Sequence, residues 1–376
     1  MFDHSITAFR LWKIPVKLHI TLLLFIPYVA FIATRQFAAI ADQLGVPAES
    51  IRVPPFAWGL VLAVALFVSI LLHELAHSLI ARRQGSEVQS ITLMALGGMT
   101  RMRGEVHPEH EALMAFAGPL TSLGLALLSY GAFALLPLPP EVAAAFLVIA
   151  WMNVALGVFN LLPAFPMDGG RVLRGLLVKR VGRAKATRIA TAVGKWMAVA
   201  FAIFGLITFN LILILIAAFV YMGASSEQTR LAARDVLHGV PVSALMTSRL
   251  GDARKGELAG DVARRLLIDN LVGATVSEEP SDTLRPRRIG LVIASDLTER
   301  VARDGKDLPV ESAMLTDLPS VHLGDEATAA LDAMWSGDGQ AVLVLDSGDE
   351  VVGLVTEAEI QRAMALAALG QGHYPG

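Results

Sequence analysis

The chain contains no cysteine and few charged or aromatic residues. Without cysteine it forms no disulfide and offers no thiolate, so any metal site must use histidine and carboxylate ligands. Charged residues make up 17% of the 376 residues, against about 25% in an average soluble domain. The hydrophobic share is 54% and the mean hydropathy is +0.57. This composition excludes an ordinary soluble protein and indicates a membrane protein.

Charge divides the chain into two parts. Residues 1–225 contain 17 Lys/Arg against 10 Asp/Glu, whereas residues 226–376 contain 14 against 24. We therefore predict a transmembrane domain over residues 1–225 and a soluble domain over residues 236–370. The predicted fold class is a polytopic α-helical membrane protein with a C-terminal soluble α/β domain.

Apolar runs give the number of membrane spans, since one helix needs about 20 residues to cross a bilayer. The last run, Ile189–Ala224, is too long for one span, and Thr208-Phe209-Asn210 offers a break within it. Hydropathy alone therefore allows five or six spans. The candidate spans are residues 15–34, 57–80, 112–136, 142–162, 190–207 and 210–224.

The sequence His73-Glu74-Leu75-Ala76-His77 lies inside the second apolar run. Residues i and i+4 share one face of a helix, so His73 and His77 are candidate ligands of one metal ion. Glu74 points about 100° further round and is the candidate general base. Ionisable groups in a membrane-length helix are costly to bury and usually functional, which argues against ordinary core histidines.

A second motif, running from Asn160 to Gly170, closes the fourth apolar run and contains Asp168-Gly169-Gly170. Asp-Gly is a common turn pair, so an ordinary turn is the alternative interpretation. A catalytic zinc ion usually has three protein ligands and one open position. Asp168 completes that number with the two histidines.

In combination these motifs resemble the site-2 protease family of intramembrane zinc metalloproteases. Phe116–Leu120 and Leu96-Gly97-Gly98 are similar to segments that this family carries between its two ligand motifs. The resemblance covers residues 10–225. It implies six spans, one zinc ion per chain, a transmembrane protein as substrate and the lipid bilayer as surroundings.

Other residues near the motifs have open roles. The Asn160 amide is a candidate for holding the substrate backbone or the oxyanion, or alternatively bonds a neighbouring helix. Residues 91–98 are a candidate substrate-pairing strand or a plain membrane-surface loop. His107, His110 and Glu111 are predicted to be solvated loop residues rather than a second metal site.

Lys and Arg set the expected orientation. Seven of them lie between Arg171 and Arg188, whereas with six spans the opposite side has only Arg35 and Arg52. Both termini are therefore predicted to be cytoplasmic, in a plasma-membrane protein. Beside a membrane this basic stretch indicates topology and contact with anionic lipid, and no nucleic-acid partner is expected.

The soluble part contains an internal duplication. The segment 242–247 resembles 310–316, and each is followed by a helical segment, a short strand, and a final strand and helix. This order resembles a tandem pair of CBS domains, which implies adenine nucleotide binding, with Asp296 and Thr356 as candidate ligands. Ile293 and Glu359 depart from the family pattern of Thr and Asp. Homodimerisation or gating of substrate is the other expectation for this module.

Two classes of function remain. The first is an intramembrane zinc endopeptidase, and the alternative is a non-enzymatic transporter or channel regulated by its CBS pair. A transporter predicts polar residues spread through several spans and repeated halves. The polar residues instead concentrate at the two ligand motifs, which favours the peptidase.

Overall fold

The computed structural model describes residues 5–46, 51, 53–95, 97–103, 108–278, 287–316, 318–336 and 341–368. The chain divides into two compact units, Met1–Leu231 and Ala232–Gly376. The division falls inside a helix, between the two domains expected from composition.

The first unit has seven helices and four strands among the described residues. Its helices are α1 (Ile20–Gln43), α2 (Pro55–Arg83), α3 (Pro108–Leu135), α4 (Pro140–Asn160), α5 (Asp168–Val181), α6 (Arg183–Ile207) and α7 (Leu211–Leu237), and α7 continues into the second unit. Its strands are β1 (Ser5–Leu11), β2 (Ile14–His19), β3 (Glu87–Met94) and β4 (Gly97–Arg103).

Six of the described helices are long and apolar enough to cross a membrane: α1, α2, α3, α4, α6 and α7. The structure therefore has six candidate spans rather than five, and the chain breaks between α6 and α7 at the expected Thr208–Asn210. The first span begins later than residue 15, because residues 14–19 form β2 and bury Ile14 and Val16 on one face. Proline at the first position starts both α2 and α4, where its missing N–H costs no helical hydrogen bond.

The four strands form one sheet in the order β1-β2-β3-β4. β1 and β2 are an antiparallel hairpin, β2 and β3 are parallel, and β3 and β4 are antiparallel. Trp12 and Lys13 in the hairpin turn both have positive φ, as a two-residue turn matching the strand twist requires. The expectation of a strand at residues 91–98 is met by β3 and the start of β4, while Leu96 lies outside the described residues.

α2 is held on both sides by tightly packed helices and by the sheet. Phe37, Leu62 and Val148, from α1, α2 and α4, are almost fully buried in one cluster. Toward the other end of α2, Ile70 and Leu75 pack with Ile91 of β3. The histidine-bearing turn of α2 therefore has little freedom to move.

The second unit contains the predicted duplication. Its elements are α8 (Val242–Leu245), β5 (Leu250–Arg254), α9 (Ala259–Ile268), β6 (Gly273–Glu278), β7 (Arg287–Ile293), α10 (Ala294–Asp304), a 3₁₀ turn (Val310–Ala313), β8 (Ser320–His322), α11 (Ala327–Ser336), β9 (Ala341–Leu345), β10 (Val351–Thr356) and α12 (Glu357–Ala368). Each repeat has a parallel pair of strands followed by an antiparallel one. The segment before each repeat bridges to the closing strand of the other, Thr247 to Leu354 and Leu315 to Leu291. Residues 279–286, between β6 and β7, lie outside the described residues.

The last turns of α7 belong to the core of the second repeat. Ala233 and Leu237 are buried there with Leu331 of α11 and Val355 of β10. Arg234 also donates to the carboxylate of Asp332 at 2.5 Å.

Candidate metal centre

The two histidines of α2 converge on one carboxylate. His73 and His77 are 3% and 7% exposed, and their ring centroids are 4.8 Å apart. The Nε2 atoms of His73 and His77 lie 3.0 Å and 3.1 Å from Oδ2 of Asp168. The three predicted side chains therefore meet at one point, although Asp168 follows His77 by 91 residues in sequence.

α3 fixes the orientation of both imidazoles through their other nitrogen atoms. Nδ1 of His77 lies 2.7 Å from the carbonyl oxygen of Met114, and Nδ1 of His73 lies 2.9 Å from Oγ of Ser122. A carbonyl only accepts hydrogen bonds, so Nδ1 of His77 carries a proton and its Nε2 keeps a lone pair in the neutral ring. Such support of the second nitrogen is characteristic of metal-bound histidine.

The arrangement of donors fits a zinc ion. With its proton on Nδ1, a neutral His77 ring would direct its Nε2 lone pair at Oδ2 of Asp168, and a cation held between the two atoms would bond to both. The possible ligand atoms of His73, His77 and Asp168 all lie within 4.8 Å of one another. Two imidazoles and one carboxylate are a typical catalytic zinc set that leaves a position for water or substrate.

Gly118 of α3 makes room for the imidazole pair. A β-carbon at Gly118 would lie 2.3 Å from Nε2 of His77 and 2.5 Å from Nε2 of His73. Any side chain there would occupy the space between the ligand atoms. The sequence indicated Gly118 only as part of the family-like segment Phe116–Leu120, with no role of its own.

Asp168 stands in the first turn of α5, so the Asp-Gly-Gly motif starts a helix rather than forming a simple turn. A β-carbon on Gly169 would lie 2.3 Å from the carbonyl oxygen of Leu161, and one on Gly170 would lie 2.7 Å from the nitrogen of Phe165. Both glycines are therefore needed for the preceding loop to pack against the helix that carries the carboxylate.

Glu74 is half-buried and held by β4. The Thr100 hydroxyl donates to its Oε2 at 2.8 Å. A β-carbon on Gly98 would lie 2.3 Å from Cγ of Glu74, so glycine lets β4 run directly over this side chain. Thr100 was not found from the sequence because no motif marks it.

The family model for peptidase family M50 matches residues 61–144 and 138–204. A zinc metalloprotease of Methanocaldococcus jannaschii is 30% identical over 371 residues, which covers 98% of this chain and 98% of that protein. The chain belongs to peptidase family M50. It is a zinc metalloprotease with several membrane-spanning helices, so the resemblance is confirmed at the level of the family and the transporter alternative is set aside.

Solved structures are also similar to this peptidase. A structure described as a site-2 protease from Methanocaldococcus jannaschii is 36% identical, with a TM-score of 0.42, and covers 60% of this chain and 95% of that one. The CBS domain of a bacterial CNNM/CorC family Mg²⁺ transporter is 18% identical, with a TM-score of 0.29, and covers 37% of the peptidase and 82% of that chain.

Asn160 is the last residue of α4, and its side-chain amide donates to the carbonyl of Leu156 at 2.9 Å. The side-chain nitrogen of Asn160 therefore donates to its own helix and not to a neighbouring helix. A different asparagine is the more buried: Asn153, 1% exposed, donates to Oγ of Ser69, one turn before His73.

The prediction for Glu111 was wrong, whereas His107 lies outside the described residues. Glu111 is 8% exposed within α3 and forms an ion pair with Arg174. The basic stretch was likewise assigned to lipid contact and topology, yet Arg174 is only 9% exposed. Composition alone does not show which charged residues of such a stretch face the interior of the protein.

In the tail of the peptidase, the two candidate nucleotide ligands have different surroundings. Asp296 accepts a hydrogen bond from Oγ of Ser295 at 3.0 Å and is half-buried. The amide and hydroxyl of Thr356 both donate to Glu359, which is 6% exposed. Glu359 thus caps the start of α12 and engages the hydroxyl that a phosphate would need.

Proposed function

We propose that this metalloprotease hydrolyses peptide bonds within or beside transmembrane segments of membrane proteins. His73, His77 and Asp168 are its zinc ligands, and Glu74 is its general base. The observation that carries the proposal is the convergence of the three ligand atoms next to Glu74 on a membrane-length helix.

Zinc held by these three side chains would polarise the scissile carbonyl and lower the pKa of bound water towards about 7. Glu74 takes the proton of the attacking water and passes it to the leaving amine. The Thr100 hydroxyl restrains Oε2 of Glu74, so Oε1 is the oxygen left to receive that proton. The near-complete burial of both histidines keeps bulk water away from their ligand atoms.

A substrate helix has its backbone groups bonded internally, so cleavage requires local unwinding. β4 lies at the edge of the sheet and passes over Glu74 at Gly98. An unwound substrate segment added to this edge as a further strand would run past the general base. Asn160, at the end of α4, remains the proposed contact for the substrate backbone.

We place both termini and the tail in the cytoplasm and the protein in the plasma membrane, from the Lys/Arg asymmetry. The tail is proposed to regulate the peptidase or to join two copies of it. These assignments are independent of the metal ligands and are tested separately.

The deciding experiment is cleavage of a model transmembrane helix by purified wild-type protein beside Glu74→Gln. We expect one zinc ion per chain in both proteins and a loss of turnover of about 10²–10⁴-fold in the variant. A fully active Glu74→Gln protein would show that another group is the base. Loss of zinc together with activity would show that Glu74 has a structural role instead.

A further inference from the structure

A buried group of three charged side chains lies outside the ligand set. Arg174 of α5 forms ion pairs with Glu111 of α3 and with Glu227 of α7. Its Nε donates to Oε2 of Glu111 at 3.0 Å while Nη2 contacts Oε1, so that pair is bidentate. The guanidinium carbon also lies 4.9 Å from the centroid of the Phe165 ring. We call Glu111, Arg174 and Glu227 the charge triad.

Burying three charges costs more than an exposed ion pair, because each loses its hydration. The cost is offset where the guanidinium has well-placed acceptors on several sides, as Arg174 has. Removing one member leaves an uncompensated charge and releases the helices that it joins. The triad therefore fixes the relative position of three helices more strictly than apolar packing alone does.

One face of α3 connects the triad to the histidines. Glu111, Met114, Gly118 and Ser122 follow one another at spacings of three or four residues, so they line one side of the helix. Glu111 bonds α5, while the other three contact the imidazoles of α2. The α3–α5 contact beside the triad is close, because a β-carbon on Gly175 would lie 2.8 Å from the β-carbon of Ala112.

Asp168 depends on the same contact. It stands at the start of α5, six residues before Arg174, and its Oδ2 must meet two Nε2 atoms on another helix. A small shift of α5 along α3 would move that oxygen away from both. Phe165, under the guanidinium, belongs to the loop that leads into Asp168.

We propose that Arg174 is a positioning residue for the metal site: through Glu111 and Glu227 it holds Asp168 against the two histidines. The proposal rests on the proposed ligand set. It predicts that the triad sets the affinity and geometry of metal binding, and not only the stability of the fold.

The test uses the full-length protein in detergent, loaded with Co²⁺ as a spectroscopic probe. Arg174→Gln is compared with Arg174→Lys, and with Arg180→Gln as the control, an exposed arginine at the end of the same helix. We expect Arg174→Gln to weaken Co²⁺ binding about 10–100-fold, the range found when residues that support metal ligands are lost. The visible absorption of the bound Co²⁺ should also change in Arg174→Gln. Arg174→Lys should retain part of the affinity for Co²⁺, and Arg180→Gln should bind Co²⁺ as the wild-type protein does.

Asp168→Ala is measured in parallel to separate the two ideas. If Asp168→Ala retains Co²⁺, the ligand set itself is wrong and this inference fails with it. If Asp168→Ala loses Co²⁺ while Arg174→Gln keeps wild-type affinity and spectrum, only the role of Arg174 is overturned.

If Arg174→Gln does not fold, the positioning role is tested with Glu227→Gln instead. Its side chain is the most exposed of the triad, at 21%, and its loss leaves the Arg174–Glu111 pair in place. Weakened Co²⁺ binding at an unchanged melting temperature supports the positioning role. Wild-type Co²⁺ binding and spectrum in Glu227→Gln overturn it.

Discussion

A β-carbon placed on Gly118 would lie 2.3 Å from Nε2 of His77, inside the space shared by the ligand atoms. The substitution Gly118→Ala should therefore displace an imidazole and lose zinc, although alanine favours a helix more than glycine does. Gly124→Ala is the matched control, because a β-carbon at Gly124 on the same helix meets nothing within 4 Å. Zinc content by elemental analysis is the measurement, and stoichiometric zinc in Gly118→Ala would contradict the arrangement.

A second prediction concerns substitution of the proposed metal ligands. His73→Ala and Asp168→Ala should each lose zinc and activity, because the proposed site holds the ion with three protein ligands. His238→Ala, an exposed histidine on the tail side of α7, should keep both. Stoichiometric zinc in Asp168→Ala would mean that the third ligand is another residue.

Thr100 should affect turnover without affecting metal content. Thr100→Val removes a hydrogen bond to a charged group, worth about 1.5 kcal/mol, so we expect kcat to fall about tenfold. Thr100→Ser keeps the hydroxyl and should recover most of the activity. We would measure kcat and zinc content in the wild-type protein, Thr100→Val and Thr100→Ser. Equal kcat in the two variants would show that the Thr100 hydroxyl has no role in the mechanism.

The grouping of His73, His77 and Asp168 could be predicted from sequence because each residue belongs to a local pattern. Histidines four residues apart share a helix face whatever surrounds them, and an aspartate followed by two glycines marks a special backbone position. Hydropathy left five and six spans open, because the last apolar run was too long for one span and Thr208–Asn210 offered a polar break within it.

The supporting residues could not be predicted in this way. Gly118, Thr100 and Arg174 act on side chains 26 to 63 residues distant in sequence, through contacts that exist only after the helices pack. The hairpin of β1 and β2 was missed because residues 15–19 of β2 were counted in the first apolar run. Composition reports how polar a segment is, but not which neighbour each polar group meets.

Orientation is tested with reporter fusions. Fusions at Gly376 and within residues 36–55 should report opposite sides of the membrane, with the C-terminus cytoplasmic, because Lys and Arg are concentrated on one side. Six of the described helices are long and apolar enough to cross, so reporters on the same side would mean that one of them does not cross. Reversed reporters would mean an inverted protein.

Nucleotide binding by the tail should be absent or weak. Glu359 already accepts from the amide and hydroxyl of Thr356 and would repel a phosphate, and Ile293 is buried where a hydroxyl would be needed. ATP, ADP and AMP should therefore leave the melting temperature of the tail unchanged, since only a bound ligand raises it by mass action. Saturable binding that Asp296→Ala abolishes would establish a nucleotide site at the first repeat.

Glu227 places one member of the charge triad on α7, beyond the last proposed metal ligand in the sequence. A chain cut at Ser226 therefore loses that carboxylate along with the tail, and Arg174 keeps Glu111 as its remaining partner in the triad. A cut after Leu231 removes the second unit and keeps all three members of the triad. The exact point of truncation therefore decides whether the tail alone or the tail and the triad are tested.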